Sequence, residues 1–274
     1  NIKETLYPKL VYPEVLKPLN YTYLTESDYL NKDKQYRSNI VFVKAKTNNG
    51  FAAANNIVLN KLLQLPQAGN YVFLLNNDTV IPTNTINNLV NSYKNTNIGI
   101  AGCTLIEYTN LNEIQSVGGV YDSLFGTTKQ VLEGVSLNDF NNTLNKSKID
   151  YPAGAAMFLS IDVLKNVGVL CEDYFLYYEE LDWVKRAASK QYTTTYFKNS
   201  LVYHKGGVSI GSNKKSFIAD KFSIVNRINF AKKYNTKCLI TVYLGVFISI
   251  FKRLLTLQFN RAYHLIKAVI NNEG

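Results

Sequence analysis

At 274 residues with 46% hydrophobic content, the chain can bury a substantial core, as one large domain or as a domain with an appendage, and this excludes a disordered protein. Cys103, Cys171 and Cys238 lie far apart, form no CxxC pair and have two histidines for company, so a reducing compartment is expected, with neither a disulfide framework nor a zinc cluster. The net charge of +10 is uneven: Trp183 to Gly274 carries 16 Lys and Arg against Asp220 and Glu273, a balance of +14, which leaves −4 for residues 1–182. Such a basic block can meet nucleic acid, anionic lipid or a phosphorylated substrate.

The chain starts at Asn1 without an initiator Met, an apolar signal core or an Arg-rich leader, and residues 1–39 are expected to be an atypical or truncated start. Pro8, Pro13 and Pro18 fall there, and no periodicity is clear before Ser27, the expected N-cap of a short helix from Asp28 to Gln35. Ile40-Val41-Phe42-Val43 then reads as a buried strand, Thr47 to Gly50 as a turn, and Phe51 to Leu65 as a helix with Phe51, Ala54, Val58, Leu62 and Leu65 on one stripe before Pro66.

Tyr71-Val72-Phe73-Leu74-Leu75 is an apolar run with the length of a central parallel strand buried on both faces. An open α/β sheet presents its ligand crevice at the carboxyl end of such a strand, and there the chain places Asn76-Asn77-Asp78. Asp78 can hold a hard divalent cation or a sugar hydroxyl; the alternative is an Asx-rich turn that merely closes the strand. A helix from Thr83 and a strand from Ile98 to Leu105 follow, and this alternation predicts a mostly parallel sheet with crossover helices.

Between about Glu107 and Ile149 the periodicity weakens around Gly118, Gly119, Gly126 and Gly134, which suits a loop or hairpin insertion. Tyr151 to Leu159 then reads as a strand with a small-residue start at Gly154-Ala155, and Ile161 to Val167 as a short helix closed by Gly168. Next, Tyr174 to Tyr178 leads into a helix whose first turn holds Glu179, Glu180 and Asp182. Acids are favourable there because of the helix dipole alone. Two adjacent Glu behind an aromatic run also sit beside low-dielectric surface, which raises a carboxylate toward general-base range. Tyr192–Phe197 and Leu201–Tyr203 read as two strands, the second ending in His204-Lys205-Gly206-Gly207, where a histidine is either structural or a ligand.

In the tail, Ile218, Phe222, Val225 and Ile228 mark an amphipathic helix running to Tyr234. Cys238 to Phe251 follows without a charge, flanked by Lys237, Lys252 and Arg253. Fourteen residues of helix reach roughly 21 Å against the ~30 Å of a bilayer core, so an interfacial or re-entrant membrane helix is expected in preference to a spanning or a plain packing one. The positive residues flank apolar stretches instead of interleaving with a stacking platform, so nucleic acid is not an expected partner.

The ordered set Asn48-x-Gly50-Phe51-Ala52-Ala53-x-Asn55-Asn56, Leu74 to Thr79, Gly154-Ala155-x-Met157, Phe175-x-Tyr177-Tyr178-Glu179-Glu180-x-Asp182 and Val202-Tyr203-His204 resembles the family 2 glycosyltransferases, in particular their rhamnosyltransferase-like branch. The resemblance covers about Thr25 to Tyr234. It implies a GT-A fold in residues 1–215, to which the apolar and basic pattern of the tail adds a C-terminal helical, membrane-associating segment in 216–274. It further implies inverting transfer of a sugar from a nucleotide diphosphate donor, using Mg²⁺ or Mn²⁺, to a glycan or lipid-linked acceptor in cell-surface polysaccharide synthesis. Asn48, Gly50, Phe51, Asn55, Asn76, Asn77 and Asp78 would bind the nucleotide sugar, and Asp78 and His204 the metal. Glu180 would be the general base, with Gly154, Ala155, Glu179, Asp182 and Trp183 on the acceptor side. By spacing, the family's second strand falls near Leu19 to Leu24, where Tyr21 and Thr22 replace its Asp-Asn, and its first strand has no counterpart. A non-catalytic nucleotide-sugar or glycan-binding module is the alternative function. The expected location is cytoplasmic, peripheral on the inner face of the plasma membrane.

Overall fold

The computed structural model describes residues 19–31, 38–65, 69–94, 97–142, 147–206 and 217–271; Pro8, Pro13, Pro18, Pro66 and the far end of the helix expected to reach Gln35 lie outside them. A parallel pair, β1 (Tyr21–Thr25) and β2 (Ile40–Lys44), forms its own two-stranded sheet, with Tyr21 opposite Ile40 and Thr25 opposite Lys44. Helix α1 (Glu26–Leu30) starts directly from β1, and its N-cap is Thr25, whose hydroxyl accepts from the Asp28 amide; the expected cap at Ser27 is displaced by two residues. Helix α2 (Gly50–Gln64) follows β2 and buries Ala52, Asn56 and Leu59.

The second sheet orders its strands β3 (Tyr71–Leu75), β9 (Ala156–Ser160), β5 (Ile98–Glu107), β10 (Thr193–His204) and β4 (Thr79–Val80), with β6 (Ile114–Ser116) paired to β5. The expected mostly parallel sheet is instead mixed: β9 runs antiparallel to both β3 and β5, β4 runs antiparallel to β10, and β5–β10 is the parallel pair. The excursion of residues 108–155 brings the chain back to the carboxyl end of β3, so the next strand has to descend against its neighbours. The same arrangement corrects the place of β3. It stands at one end of the strand order, half-buried and with Leu75 exposed, whereas β5 is the central strand, buried continuously from Gly99 to Ile106. The α/β class and the C-terminal helices are as expected. The two strands expected between Tyr192 and Tyr203 are one strand, β10, with an irregularity between Phe197 and Leu201.

Helix α3 (Thr85–Tyr93) packs on β10, and Leu89 and Tyr93 join a core with Phe158 and Phe197. The insertion after β5 contains β6, the hairpin β7 (Gly119–Asp122) and β8 (Thr127–Gln130), and helix α4 (Leu137–Asn142). Helices α5 (Ile161–Val167) and α6 (Glu179–Ser189) flank the sheet, and Gly168 closes α5 at φ 83°, a left-handed backbone suited to glycine. Three helices end the chain: α7 (Phe217–Tyr234), α8 (Leu239–Leu255) and α9 (Phe259–Ile270). Helix α7 belongs to two cores. Its Phe230 sits with Tyr174, Tyr178 and Trp183, while Ile224, Ile228 and Ala231 pack with Val242, Val246 and Ile250 of α8 and Ala262 and Leu265 of α9. With the 3₁₀ turn before it, α8 forms a run from Thr236 to Leu255 of 20 residues, by length and composition enough to cross a membrane and longer than its uncharged stretch alone.

Candidate active site

Register places the first group of site residues. Leu75 lies opposite Ala156, and the next amide, Asn76 N–H, donates to the Ala155 carbonyl at 3.0 Å. The turn after it is closed by the Thr79 hydroxyl, which donates to the Asn76 carbonyl at 2.7 Å. Thr79 then pairs with His204 across β4 and β10, and the Lys205 amide donates to the Asp78 carbonyl at 3.0 Å. Two strand pairings thus carry Asp78 and His204 together, with Oδ1 of Asp78 and Nε2 of His204 3.2 Å apart.

His204 is itself held from behind. Its Nδ1 lies 2.5 Å from Oε1 of Gln115, whose Nε2 donates to Glu107 Oε2 at 2.9 Å. Because the Gln115 amide spends its donor on a carboxylate, its oxygen faces His204 and accepts from Nδ1–H. That fixes the proton on Nδ1 and turns Nε2 toward Asp78, as a lone pair for a cation or, protonated, as a donor to the carboxylate. Gly206, at φ 52°, closes over this pair: a Cβ there would press on Gln115 Nε2. Gln115 and Glu107 were not legible in the sequence, since both fall where the periodicity is weak.

The second group is built at the start of α6. Tyr177 and Tyr178 are both left-handed, at φ 69° and 74°, a conformation that costs bulky residues on the order of 1–3 kcal/mol each. Three bonds over-determine this turn: Asn226 of α7 donates through Nδ2 to the Leu176 and Tyr177 carbonyls at 2.9 and 3.2 Å, and the Tyr178 hydroxyl donates to the Gly126 carbonyl at 2.7 Å. The turn aims Glu180 at Gly154, where a Cβ would collide with Glu180 Oε1. Burial pushes the Glu180 carboxyl up to about 7. Glu179 is 2% exposed, its Oε2 is buried with no hydrogen-bond partner, and burial followed by the adjacent Glu180 raises its carboxyl well above the ordinary range.

Gly154 and Ala155 therefore touch both groups at once, one shaping the space of Glu180 and the other bonded to Asn76. On a third side, Gly50 at φ 93° begins α2 against the aromatic loop: the Phe51 amide donates to the Phe175 carbonyl at 3.1 Å, and a Cβ at Gly50 would strike that carbonyl. Asn48 Oδ1 accepts from the Gly50 amide and Asn55 Nδ2 donates to the Phe51 carbonyl, so the expected nucleotide-side residues cluster around the α2 N-terminus. Asn77 is exposed at the tip of the strand turn.

Three expected acceptor-side residues, Asp182, Trp183 and Glu179, are turned inward. Asp182 is fully buried, its carboxylate taken by Arg186 Nε at 2.7 Å, Lys233 Nζ at 2.6 Å and the Tyr234 hydroxyl at 2.8 Å. Trp183 is likewise 0% exposed and donates through Nε1 to the Gly168 carbonyl. The reason is helical geometry: at about 100° per residue Asp182 stands roughly 200° around α6 from Glu180. Glu179, with Trp183 one turn below it, faces the interior as well.

Asp78 and His204 offer one oxygen and one nitrogen to a cation, and the described residues contain no group of three or more His, Cys, Asp or Glu that could hold a metal. Ligands at about 2.1 Å and right angles are about 3.0 Å apart, close to the separation here, so the pair fits two adjacent positions of a small divalent ion whose other ligands come from substrate and water.

No family model matches this sequence, and no curated protein sequence matches it. Among solved structures the chain is similar to GalNAc-T7 with UDP, GalNAc and Mn²⁺, at a TM-score of 0.49 and 14% identity over 70% of this chain and 37% of that one. It thus spans little more than a third of GalNAc-T7's length in that structure. It is also similar to the mannosyltransferase PcManGT from Pyrobaculum calidifontis in complex with GDP-Man and Mn²⁺, at a TM-score of 0.45 and 12% identity over 92% of this chain and 86% of that one.

Proposed function

We propose that this chain is an inverting glycosyltransferase that moves a hexose-type sugar, rhamnose among the candidates, from a nucleoside diphosphate donor to a hydroxyl of a glycan or lipid-linked acceptor in cell-surface polysaccharide synthesis. One observation carries the reading: a single turn, Gly154-Ala155, joins a half-buried, proton-hungry Glu180 to the Asn76–Asp78 turn that meets His204. Acid–base capacity and an anion-directed ligand pair are the two things that displacement of a nucleoside diphosphate needs on opposite sides of the anomeric carbon.

In this mechanism the acceptor hydroxyl approaches the Glu180 carboxylate, which lies against Gly154 because that residue has no side chain. Glu180 takes its proton as the acceptor oxygen attacks the anomeric carbon from the face opposite the diphosphate. The bond between that carbon and the diphosphate oxygen breaks, its electron pair leaves with the diphosphate, and the anomeric configuration inverts. A divalent ion, Mg²⁺ or Mn²⁺, held by Asp78 and His204, supplies positive charge to the departing diphosphate when bound. Asn48, Asn55 and Asn77 offer amide donors and acceptors to the nucleotide and its sugar, and Gly50 lets the α2 N-terminus approach them closely.

The test is a panel of TDP-, UDP- and GDP-sugars with Mn²⁺ or Mg²⁺, following nucleotide release and transfer. Asp78→Ala is expected to abolish metal-dependent nucleotide binding, whereas Glu180→Gln retains it and loses transfer. Absence of turnover with every donor, alongside nucleoside diphosphate binding that Glu180→Gln leaves unchanged, would instead support a second reading, a nucleotide-sugar-binding module. That reading is favoured by β1, where Tyr21 and Thr22 stand in place of the resembled family's Asp-Asn and Tyr21 and Tyr23 are exposed. Equal loss of donor binding in the two variants would move the base role away from Glu180.

A further inference from the structure

Helices α8 and α9 each carry two faces of opposite purpose. On α8, Val242, Gly245, Val246 and Ile250 are buried in the core shared with α7 and α9. About half a turn away, Ile240, Leu244, Phe247 and Phe251 form a stripe at spacings of four, three and four residues, exposed by 85%, 51%, 63% and 48%. On α9 the same division recurs, with Ala262, Leu265 and Ala268 inward and Phe259, Tyr263, Ile266 and Ile270 outward at spacings of four, three and four. Isolated exposed apolar residues are ordinary, but two stripes of large exposed side chains on packed neighbouring helices are an interaction surface.

Charge says what the surface meets. From Phe217 to Asn271 Asp220 is the one acid, and it is buried and bonded to Arg253 and Arg261. The charge left at the surface there is positive, with exposed Lys237 ahead of the α8 stripe and exposed Lys252 and Lys267 beside the two stripes. A second copy of this chain would bring the same lysines against these, whereas an anionic leaflet offers apolar depth bordered by negative headgroups.

We propose that the outward faces of α8 and α9 are a docking surface for an anionic phospholipid bilayer, lying in the plane of one leaflet. The helices stay folded against the protein as they do so. Crossing the bilayer would require α8 to leave α7 and α9, and that would strip Arg253 from Asp220 and open the space at Gly245 that Arg227 fills. The surface is independent of the chemistry proposed for the active site, and it would hold that site within reach of a lipid-linked acceptor.

The experiment is flotation of the full chain with vesicles of phosphatidylcholine alone and with 30% phosphatidylglycerol, alongside sedimentation without vesicles. The wild-type chain is expected to float with the anionic vesicles, to float poorly with the neutral ones and to be stripped by alkaline carbonate. Phe247→Asp is expected to weaken partitioning by about tenfold or more, since a large apolar side chain no longer enters the leaflet. Its side chain lies outside the core, so an unchanged thermal melt checks that folding is intact, and Lys252→Glu supplies an independent charge variant expected to weaken anionic binding alone. Three results overturn the proposal: no flotation with either vesicle, retention through the carbonate wash, which would mean a spanning helix, or a stable dimer abolished by Phe247→Asp in a chain that does not float.

Discussion

Glu180 and Gln115 show how much of a candidate site depends on what stands behind the reacting atoms. Burial holds the Glu180 carboxyl near 7 against an ordinary value of 4.5, so the folded chain keeps a proton that the unfolded chain has lost between those pH values. Stability attributable to this group therefore falls as pH rises through that window and is level above it. Activity runs the other way, because only the ionised carboxylate accepts a proton: kcat is expected to rise through about pH 7, and Glu180→Gln should lose that limb along with about 10²–10⁴-fold in rate. Glu179 shares the titration, so the limb belongs to the pair. For Gln115, replacement by Leu removes the acceptor that fixes Nδ1–H of His204 and is expected to weaken Mn²⁺ binding by about 10–100-fold in calorimetry, with the nitrogen chemical shifts of the imidazole reporting the changed tautomer. A wild-type chain that binds no Mn²⁺ even with nucleoside diphosphate would overturn the metal assignment, and unchanged binding in Gln115→Leu would overturn the positioning role alone.

At the scale of elements, the Tyr177–Tyr178 turn depends on a helix far away in the sequence. Asn226→Leu deletes both bonds to the Leu176 and Tyr177 carbonyls, each contributing about 0.5–1.5 kcal/mol, and frees the turn that aims Glu180. The expected outcome is a lower kcat with an unchanged donor KM and a modestly lower melting temperature. Elements with local signals were legible in sequence: the apolar run bounded β3 at Tyr71 and Leu75, and the glycine after Val167 closed α5 where it stands. The direction of β9, the edge position of β3 and the merger into β10 were not, because pairing partners lie far along the chain and a period of two says nothing about which neighbour a strand will take. The site divides in the same way. Asp78, Glu180 and His204 end strands or begin a helix, where polar residues after apolar runs announce themselves, but the inward turn of Asp182 and Trp183 was hidden by their adjacency to Glu180, and Gln115 by an insertion without pattern.

For the whole molecule, the helical tail is not a separate body. Asp182 in α6 meets Lys233 and Tyr234 at the end of α7, and Phe230 lies in the same core as Trp183. The boundary expected between residues 215 and 216 lies outside the described residues, and α7 beyond it packs against both the α6 core and the two helices that follow. Unfolding in urea is expected to be one transition, with fluorescence of the single Trp and far-UV circular dichroism coincident. Asp182→Ala should lower stability by about 1.5–3 kcal/mol by removing the charged acceptor shared by Arg186, Lys233 and Tyr234, read from the urea midpoint. Separate transitions for the two probes would overturn this joint unfolding.

The tip of the β7–β8 hairpin is gripped from several directions: Ser123 accepts from Asn235, Leu124 from Thr241, Phe125 from Arg227 and Gly126 from Tyr178. The first three donors belong to the C-terminal helices or the turn between them, so the excursion after β5 and the tail form one interlocked unit. A variant that shortens the β7–β8 tip and removes the Phe125 carbonyl would leave Arg227 charged, buried and bereft of that acceptor. The loop and the tail therefore have to be altered together, as paired segments.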